Sequence, residues 1–273
     1  MTTKLHETLL EILDVVDSIC KKHNIQYFLD SGTALGAYRH HGFIPWDDDI
    51  DIGMLYDDYV RFLKIATQEL PKDYFLQDTS TEKECPYIFA KVRKNGTLYM
   101  EWCNRNLDIN HGVYIDVFPY YKTPRDFKER KKFLRAMEWI GRFFYIRTSP
   151  DRDKRYDGSI RWFIIAFFRR GLHYLSCLIP RSIMIEFITK YSRKYNDVVD
   201  GLFSPYYKSL TIPSQYVCFE KSDLLPVKTL AFENRCYPVP NKIELYLECV
   251  YGNYMQMPPE KERVGHLPYK ATY

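Results

Sequence analysis

Aspartate occupies four of the five positions from 47 to 51, with isoleucine at position 50 and again at position 52. Alternate side chains of a β-strand leave the same face, so this pattern directs the Asp49 and Asp51 carboxylates to one side. Carboxylates held that close repel each other unless a cation lies between them. The run therefore predicts a strand that carries a divalent metal site, and it argues against a solvated acidic loop.

A turn of small residues precedes this strand. Ser31, Gly32 and Thr33 follow the short apolar run 27–29 and lead into residues 34–38, which we interpret as a short helix. Backbone N–H groups at the start of a helix bind anions. We expect these three residues to contact a phosphate, and a phosphate beside a metal indicates nucleotide or phosphoryl chemistry.

Asp116 is expected to complete the metal site. It lies in the alternating segment 113–118, where the inside of a sheet would otherwise hold an apolar residue. Magnesium takes few protein ligands and leaves coordination positions for phosphate oxygens. We therefore predict that Asp49, Asp51 and Asp116 hold Mg²⁺ or Mn²⁺. Asp47 and Asp48 either orient these ligands, hold a second ion, or face water.

Three basic side chains are candidates for phosphate contacts. Arg39 either grips a phosphate with two N–H groups or forms a surface salt bridge. Lys91 and Arg93 alternate along a predicted strand, and they either contact phosphate or face solvent. The sequence leaves these alternatives open.

The apolar pattern predicts an α/β fold with a mixed, strongly curved sheet. Helical periodicity marks residues 5–20 and 57–70, alternation marks the strands 88–92, 98–102 and 112–117, and Asn95-Gly96 predicts a hairpin turn. We divide the chain into a catalytic core at 1–124, a helical insertion at 125–200, and a C-terminal part at 201–273 that completes the core and the substrate site.

The helical insertion is basic and aromatic. Residues 122–200 contain 19 Lys plus Arg against 9 Asp plus Glu, a surplus of +10 that leaves −6 for the rest of a chain whose net charge is +4. A solvated bundle and a nucleic-acid surface are alternatives, but the segment has no nucleic-acid recognition motif. Arginines interleaved with aromatic residues favour peripheral contact with an anionic membrane; they are Arg142, Arg147, Arg161, Arg169 and Arg170 with Phe143, Phe144, Trp162, Phe163, Phe167 and Phe168.

Cysteine usage and hydropathy predict the compartment. Seven cysteines form no Cys-x-x-Cys pair and no zinc-ligand cluster, which indicates reduced thiols. Residues 1–23 lack the apolar stretch of a secretory signal, and the longest apolar run, 162–168, is far shorter than the roughly 20 residues of a membrane-crossing helix. We expect a cytoplasmic protein at the inner face of the plasma membrane.

Several blocks of the chain together resemble the LicD family, which is related to the fukutin proteins and belongs to the nucleotidyltransferase-fold superfamily. The acidic block is long enough to be highly specific, and the blocks cover most of the chain outside the insertion. The family pattern often has Asp where this chain has Asn253. The final histidine block of the family pattern is represented in this chain by His266 alone. The blocks are Ser-Gly-Thr-Ala-Leu-Gly from Ser31, Arg39-His40, residues 43–53, His111-Gly112 with 115–119, and residues 251–255 followed by Pro258-Pro259.

The resemblance implies transfer of phosphocholine from CDP-choline to a hydroxyl of a cell-surface glycan precursor, of teichoic acid or lipopolysaccharide type and lipid-linked. Another CDP-alcohol, with ribitol or glycerol, is the related possibility. The family pattern gives the metal role to Asp49, Asp51 and Asp116. Asp116 or His266 would take the hydroxyl proton, and Asp48 and Arg263 would bind substrate.

A choline head group has no N–H to donate, so aromatic faces and a carboxylate suit it best. Trp102, Tyr99 and Tyr114 with Glu101 are candidates for that role, and simple packing is the alternative. Nucleotidyl transfer, which releases pyrophosphate instead of CMP, is a competing activity. A non-catalytic membrane-binding scaffold is a third possibility, but such a protein has no reason to keep three mutually repelling acids.

Overall fold

A mixed sheet of six strands forms the centre of the protein in a computed structural model that describes residues 3–150, 159–205, 217–266 and 268–273. The spatial order is β1-β2-β6-β4-β3, and β7 pairs with the far half of β6. β2 and β6 are parallel, whereas the other neighbours in this sheet are antiparallel. The strands are β1 (Phe28–Leu29), β2 (Asp51–Leu55), β3 (Tyr74–Gln77), β4 (Ala90–Lys94), β6 (Tyr114–Pro124) and β7 (Gly201–Ser204).

Eight α-helices surround this sheet within the described residues, and the predicted α/β class with a mixed sheet is confirmed. The remaining strands form two small two-stranded sheets, one of β5 with β10 and one of β8 with β9. The helices are α1 (Lys4–Lys22), α2 (Ser31–His40), α3 (Tyr56–Glu69), α4 (Phe127–Thr148), α5 (Ile160–Cys177), α6 (Arg181–Ser192), α7 (Lys221–Leu224) and α8 (Ile243–Tyr251); the remaining strands are β5 (Leu98–Met100), β8 (Lys228–Phe232), β9 (Arg235–Val239) and β10 (Lys270–Thr272).

The first helix covers the sheet through its apolar stripe. Thr3 caps α1 by accepting the backbone N–H of His6 at 3.2 Å. Ile12, Leu13 and Val16 are fully buried in the core that the helix shares with the central strands. This burial, and not intrinsic helix propensity, holds α1 in place.

The predicted hairpin at Asn95-Gly96 is wrong in its pairing. The turn is present, and Gly96 has the positive φ of 76° that such a turn requires. However, β5 pairs with β10 near the C-terminus and not with β4. β4 already lies between β3 and β6, so it offers no free edge to a following strand.

The helical segment α4–α6 leaves the sheet at the end of β6 and returns to it at β7. Tyr121 to Pro124 of β6 pair with Gly201 to Ser204 of β7. Phe133, Leu134 and Met137 of α4 are buried in a small cluster with Tyr121. α6 ends at Ser192, earlier than the predicted helical pattern.

None of the described helices is by itself long and apolar enough to cross a membrane; α5 and α6 satisfy the length and hydropathy criteria only as a pair bent by 94°.

Candidate active site

Asp51 and Asp116 lie side by side on the two parallel strands, because β2 and β6 pair with Asp51 opposite Asp116. The Asp116 N–H donates to the Ile50 carbonyl at 2.9 Å. The predicted strand at Asp49 begins later: β2 starts at Asp51, and Asp49 belongs to the segment that leads into it. The parallel register therefore brings two of the three predicted metal ligands together at the start of their paired segments.

The start of α2 fixes the position of Asp51. Thr33 accepts the Asp51 N–H through its hydroxyl at 2.9 Å, and the Asp51 carbonyl accepts the Asp30 N–H at 2.9 Å. The helix begins at Ser31, earlier than predicted, and Asp30 is its N-cap. Thr33 thus holds a predicted metal ligand through the backbone.

The small-residue turn is packed tightly against the acidic run. A Cβ on Gly32 would lie 2.7 Å from Oδ2 of Asp47, so a larger residue here would displace that carboxylate. Ser31 has a φ of 49°, in the left-handed region that non-glycine residues rarely adopt. The Ser31 N–H donates to Asp30 Oδ1 at 2.7 Å and to Tyr246 Oη at 3.0 Å. One of the amides predicted to meet phosphate therefore has partners inside the protein.

Asp48 lies at the centre of a hydrogen-bond network with the C-terminal tail. Its Oδ1 accepts the His266 backbone N–H at 3.1 Å and is 2.9 Å from Nδ1 of the His266 ring. Its Oδ2 accepts the Tyr99 hydroxyl at 2.7 Å. Ligand atoms of Asp48, Asp49 and His266 all lie within 4.8 Å of one another. The structure thus brings His266 to the acidic run, although it is far away in sequence.

Burial and mutual repulsion govern the protonation of this cluster. Burial, followed by the charge of Asp47, raises the pKa of Asp49 to about 8. Burial and the charge of Asp51 raise the pKa of Asp47 to about 6. Burial alone would raise the pKa of Asp48, but hydrogen bonds from His266 and Tyr99 outweigh it and lower that pKa. The hydrogen bond to Asp48 raises the pKa of His266 to about 9.

Lys91 and Arg93 are both buried, so the solvent-facing alternative for these residues is wrong. Lys91, with 2% of its side chain exposed, forms an ion pair with Asp116 at 2.7 Å. Its ammonium lies 3.5 Å from the centre of the Tyr114 ring and 4.3 Å from that of Tyr87. Arg93 donates to Gln77 Oε1 at 2.6 Å and to the Gly112 carbonyl at 2.7 Å.

The aromatic site predicted for choline already contains a cation from the protein. Glu101 accepts hydrogen bonds from the hydroxyl of Tyr87 and from the side-chain amide of Asn104. Burial alone would raise the pKa of Glu101, but the positive charges of Lys91 and Arg93 and the hydrogen bonds from Tyr87 and Asn104 together outweigh it and lower that pKa. Tyr114 and Glu101 therefore surround the Lys91 ammonium. Trp102 lies outside this group, 5.1 Å from the Tyr269 ring and 4.8 Å from the Arg105 guanidinium.

The two remaining predicted arginines donate to backbone carbonyls of the C-terminal part. Arg39 donates to the Tyr254 carbonyl at 2.7 Å, so it fixes the segment after α8. Burial lowers the pKa of Arg39. Arg263 donates to the Pro258 carbonyl at 2.9 Å, and its guanidinium lies 5.4 Å from the Trp46 ring. Each arginine thus holds a segment of the C-terminal part, Arg39 at Tyr254 and Arg263 at Pro258.

Sequence analysis missed a buried carboxylate and its tyrosine partners. Asp30 is fully buried and accepts the Tyr120 hydroxyl at 2.9 Å and also the Tyr246 hydroxyl. Asp30 was recognisable as a helix N-cap from its position before the turn. Tyr246 carries no such local signal, because its contact with Asp30 spans 216 residues.

The residues of the cluster fit a divalent cation. Among the described residues, the group whose ligand atoms lie within 4.8 Å of one another is Asp48, Asp49 and His266; of the predicted ligands it contains Asp49 but not Asp51 or Asp116. Carboxylate oxygens are the ligands that Mg²⁺ and Mn²⁺ prefer. The pKa values of Asp47 and Asp49 are raised by burial and by neighbouring carboxylates, which shows that the nearby lysine and histidine do not compensate the charge fully. A bound cation would relieve that repulsion.

These features define an α/β protein with a carboxylate-rich site that is suited to a divalent cation. Residues 24–144 match the family described as LicD/FKTN/FKRP, nucleotidyltransferase domain. This match covers 121 of the 273 residues of the chain.

Individual relatives are transferases. The lipopolysaccharide cholinephosphotransferase LicD of Haemophilus influenzae is 28% identical over 264 residues, which cover 94% of this chain and 92% of that protein. The ribitol 5-phosphate transferase FKRP of Homo sapiens is 37% identical over 117 residues, 43% of this chain and 20% of that protein. The ribitol-5-phosphate transferase FKTN of Homo sapiens is 34% identical over 59 residues, 22% of this chain and 13% of that protein. The similarity to the human proteins is thus confined to a segment.

Proposed function

We propose that this protein transfers phosphocholine from CDP-choline to a hydroxyl of a cell-surface glycan precursor, of teichoic acid or lipopolysaccharide type. The observation that carries the proposal is the pairing of Asp51 with Asp116 on adjacent parallel strands, with Asp49 beside them. The Haemophilus influenzae relative, a cholinephosphotransferase by name, matches nearly the whole chain. We also propose that the core of the protein has a nucleotidyltransferase-like fold.

Asp49, Asp51 and Asp116 would hold Mg²⁺ or Mn²⁺ in this proposal. When bound, the cation would neutralise charge on the diphosphate of the donor. Thr33 fixes Asp51 through its backbone, and Lys91 fixes Asp116 through the buried ion pair. These contacts preorganise the carboxylates, and preorganisation supplies most of the catalysis in phosphoryl transfer.

The transfer forms one bond and breaks another. The acceptor hydroxyl oxygen bonds to the phosphorus that bears choline, and the bond from that phosphorus to the oxygen of CMP breaks. The hydroxyl proton passes to a base, for which we propose Asp116 first and His266 second. His266 lies at the surface, with 73% of its side chain exposed, whereas Asp116 is buried beside Lys91. The positions of the two candidates thus differ in access to the acceptor.

Ribitol phosphate transfer is the second candidate activity. The relatives FKRP and FKTN are ribitol-phosphate transferases by name. In this chain the Lys91 ammonium lies between the Tyr87 and Tyr114 rings, where a quaternary ammonium would otherwise fit. The donor alcohol would therefore contact other residues, among which Trp102 remains a candidate.

The basic helical segment supports a location at the inner face of the plasma membrane. α5 carries Arg161, Arg169 and Arg170 and no acidic residue. Only Ser176 of α5 is buried. Exposed aromatic and basic side chains on one helix are typical of contact with an anionic membrane. A lipid-linked acceptor would be available at that surface.

Incubation with separate CDP-alcohols tests the activity. CDP-choline, CDP-ribitol and CDP-glycerol are each supplied with Mg²⁺ and a glycan acceptor, and released CMP and pyrophosphate are quantified. We expect acceptor-dependent CMP release with CDP-choline. Preference for CDP-ribitol identifies the second candidate activity, release of pyrophosphate from a nucleoside triphosphate identifies a nucleotidyltransferase, and absence of all products contradicts an enzymatic function.

A further inference from the structure

Two adjoining cavities separate the helical segment from the catalytic sheet. The larger, about 590 Å³, lies between α4, α5 and the chain at residues 86–89. The smaller, about 490 Å³, is lined only by apolar side chains of α4, α6 and the turn before α6. Trp139 and Phe143 of α4 line both cavities. Each cavity is within the size range of ligand pockets, and since they share these two side chains we describe them as one groove, whose lining is apolar except at the charged side chains of Glu138, Arg142 and Arg169.

The groove adjoins the candidate active site through a short series of contacts. Tyr87 and Phe89 line its inner wall. The Tyr87 ring is 4.3 Å from the Lys91 ammonium, which is 2.7 Å from Asp116. A molecule held in the groove therefore lies one side chain away from the ion pair at the acidic cluster.

The outer rim of the groove is apolar and exposed. Trp139, which lines both cavities, is 66% exposed, and Phe167 and Phe168 on α5, which line neither cavity, are 76% and 69% exposed. Soluble proteins rarely leave a large contiguous apolar patch uncovered unless the patch binds a partner. The rim thus continues the apolar surface of the groove out to solvent.

Charge identifies the class of partner. Among the described residues from 138 to 192 there are two acidic side chains, Glu138 and Glu186, and Glu138 forms an ion pair with Arg142 at 2.8 Å. The basic side chains in the same residues are Arg142, Arg147, Arg161, Arg169, Arg170, Arg181 and Lys190. Two copies of such a surface would repel each other, whereas an anionic bilayer would attract it. Apolar walls beside basic side chains match a hydrocarbon chain with an anionic head group.

We propose that this groove binds one hydrocarbon chain of an anionic lipid drawn from the bilayer, with the lipid head group at the exposed side of Arg142. The inference rests on the proposed membrane contact and adds a defined binding site for a single chain. In this orientation the end of the hydrocarbon chain reaches the inner wall at Tyr87 and Phe89, and the head group stays at the rim.

Photocrosslinking tests the proposal with two matched variants. Leu172 lines the larger cavity, whereas Leu175, nearly one turn further along α5, is 64% exposed and lines neither cavity. Leu172→Trp fills the groove, and Leu175→Trp adds the same ring to the exposed face. The full chain is mixed with phosphatidylglycerol vesicles that contain a lipid with a diazirine at the end of one acyl chain, and crosslinked residues are mapped by mass spectrometry.

The wild-type protein and Leu175→Trp should crosslink at Phe89, Phe143 and Ile146. In Leu172→Trp the yield of these crosslinks should fall at least fivefold, although this variant should sediment with the vesicles to the same extent as the wild-type protein. Crosslinks confined to Phe163 and Phe167 in all three proteins overturn the groove site and leave membrane contact intact. Concentration-dependent dimerisation that protects Trp139 without lipid assigns the surface to a second copy and also overturns the proposal. CMP release with a soluble acceptor is measured separately, so failure of the enzymatic proposal is distinguishable.

Discussion

The Thr33 hydroxyl accepts the backbone N–H of Asp51 at 2.9 Å and thereby joins the first turn of α2 to the first residue of β2. Thr33 is buried, so no water replaces this acceptor easily. A side chain that contacts no substrate in this arrangement can still determine where a catalytic carboxylate lies.

Thr33→Val should lower CMP release roughly 10- to 100-fold, because a small displacement of Asp51 is enough to misplace a reacting group. The unpaired Asp51 N–H should also lower the free energy of unfolding by about 1–3 kcal/mol. Thr33→Ser keeps the acceptor and should retain most activity. Equal activity of the Val and Ser variants would show that the hydrogen bond has no positioning role.

Asp49→Ala and Asp51→Ala should each abolish turnover without loss of fold, because each removes a predicted ligand from a cluster whose carboxylates repel one another. Circular dichroism and CMP release measure the two effects. Near-normal CMP release by both variants would remove these residues from the metal site.

Asp116→Ala should abolish turnover and also destabilise the protein, because Lys91 would remain buried without its partner. Loss of one member of a buried pair costs about 3–5 kcal/mol. The double variant Asp116→Asn, Lys91→Met should recover much of the thermal stability and remain inactive. An active double variant would contradict the role of Asp116.

Chelation should abolish activity without unfolding the chain. The predicted ligands are oxygen atoms, and the apolar core packs without them, so the ion is expected to bind with the nucleotide and not to support the fold. Activity should vanish in EDTA and return with Mg²⁺ or Mn²⁺. A large loss of circular dichroism in EDTA alone would show a structural ion.

Asp49→Asn should stabilise the metal-free protein at high pH. The pKa of Asp49 rises from an ordinary 3.8 to about 8 in the folded protein, so the folded state binds its proton more tightly than the unfolded state. That contribution to stability is complete below about pH 4 and is lost as the pH rises through 8. In EDTA the two proteins should have equal melting temperatures near pH 4, and the variant should melt higher at pH 8. A constant difference at all pH values would contradict this ionisation.

Arg161→Gln with Arg170→Gln should weaken sedimentation with anionic vesicles about thirtyfold at low salt, at about 1 kcal/mol for each charge. Arg169 is excluded from the test because it donates to the carbonyls of Ser149 and Pro150 at the end of α4. The control, Lys128→Gln with Lys132→Gln, makes the same charge change at the other end of α4. Equal weakening by both pairs would indicate a general charge effect, and absence of wild-type sedimentation would remove the membrane contact.

Local patterns predicted much of the fold and part of the site. The Asp49 to Ile52 alternation and the insertion helices depend on residue spacing alone, which sequence displays directly. The ion pair of Lys91 with Asp116 could not be predicted from residue spacing, because it forms only when the neighbouring strands β4 and β6 are placed in register. The same limit applies to β5, which pairs with β10 across the length of the chain. Contacts of His266 with Asp48 span 218 residues and required the tertiary structure.

β6 leads away from the candidate active site, and α4 leads back towards it. From Asp116 to Pro124 the strand covers about 26 Å, and the 22 residues of α4 cover about 33 Å. The end of the helix returns to the catalytic part, where the Ser149 hydroxyl donates to the Cys103 carbonyl at 2.7 Å. Removal of one helical turn would withdraw Ser149 by about 5 Å, which is more than the length of this hydrogen bond, and would detach the end of α4 from residues 102–104.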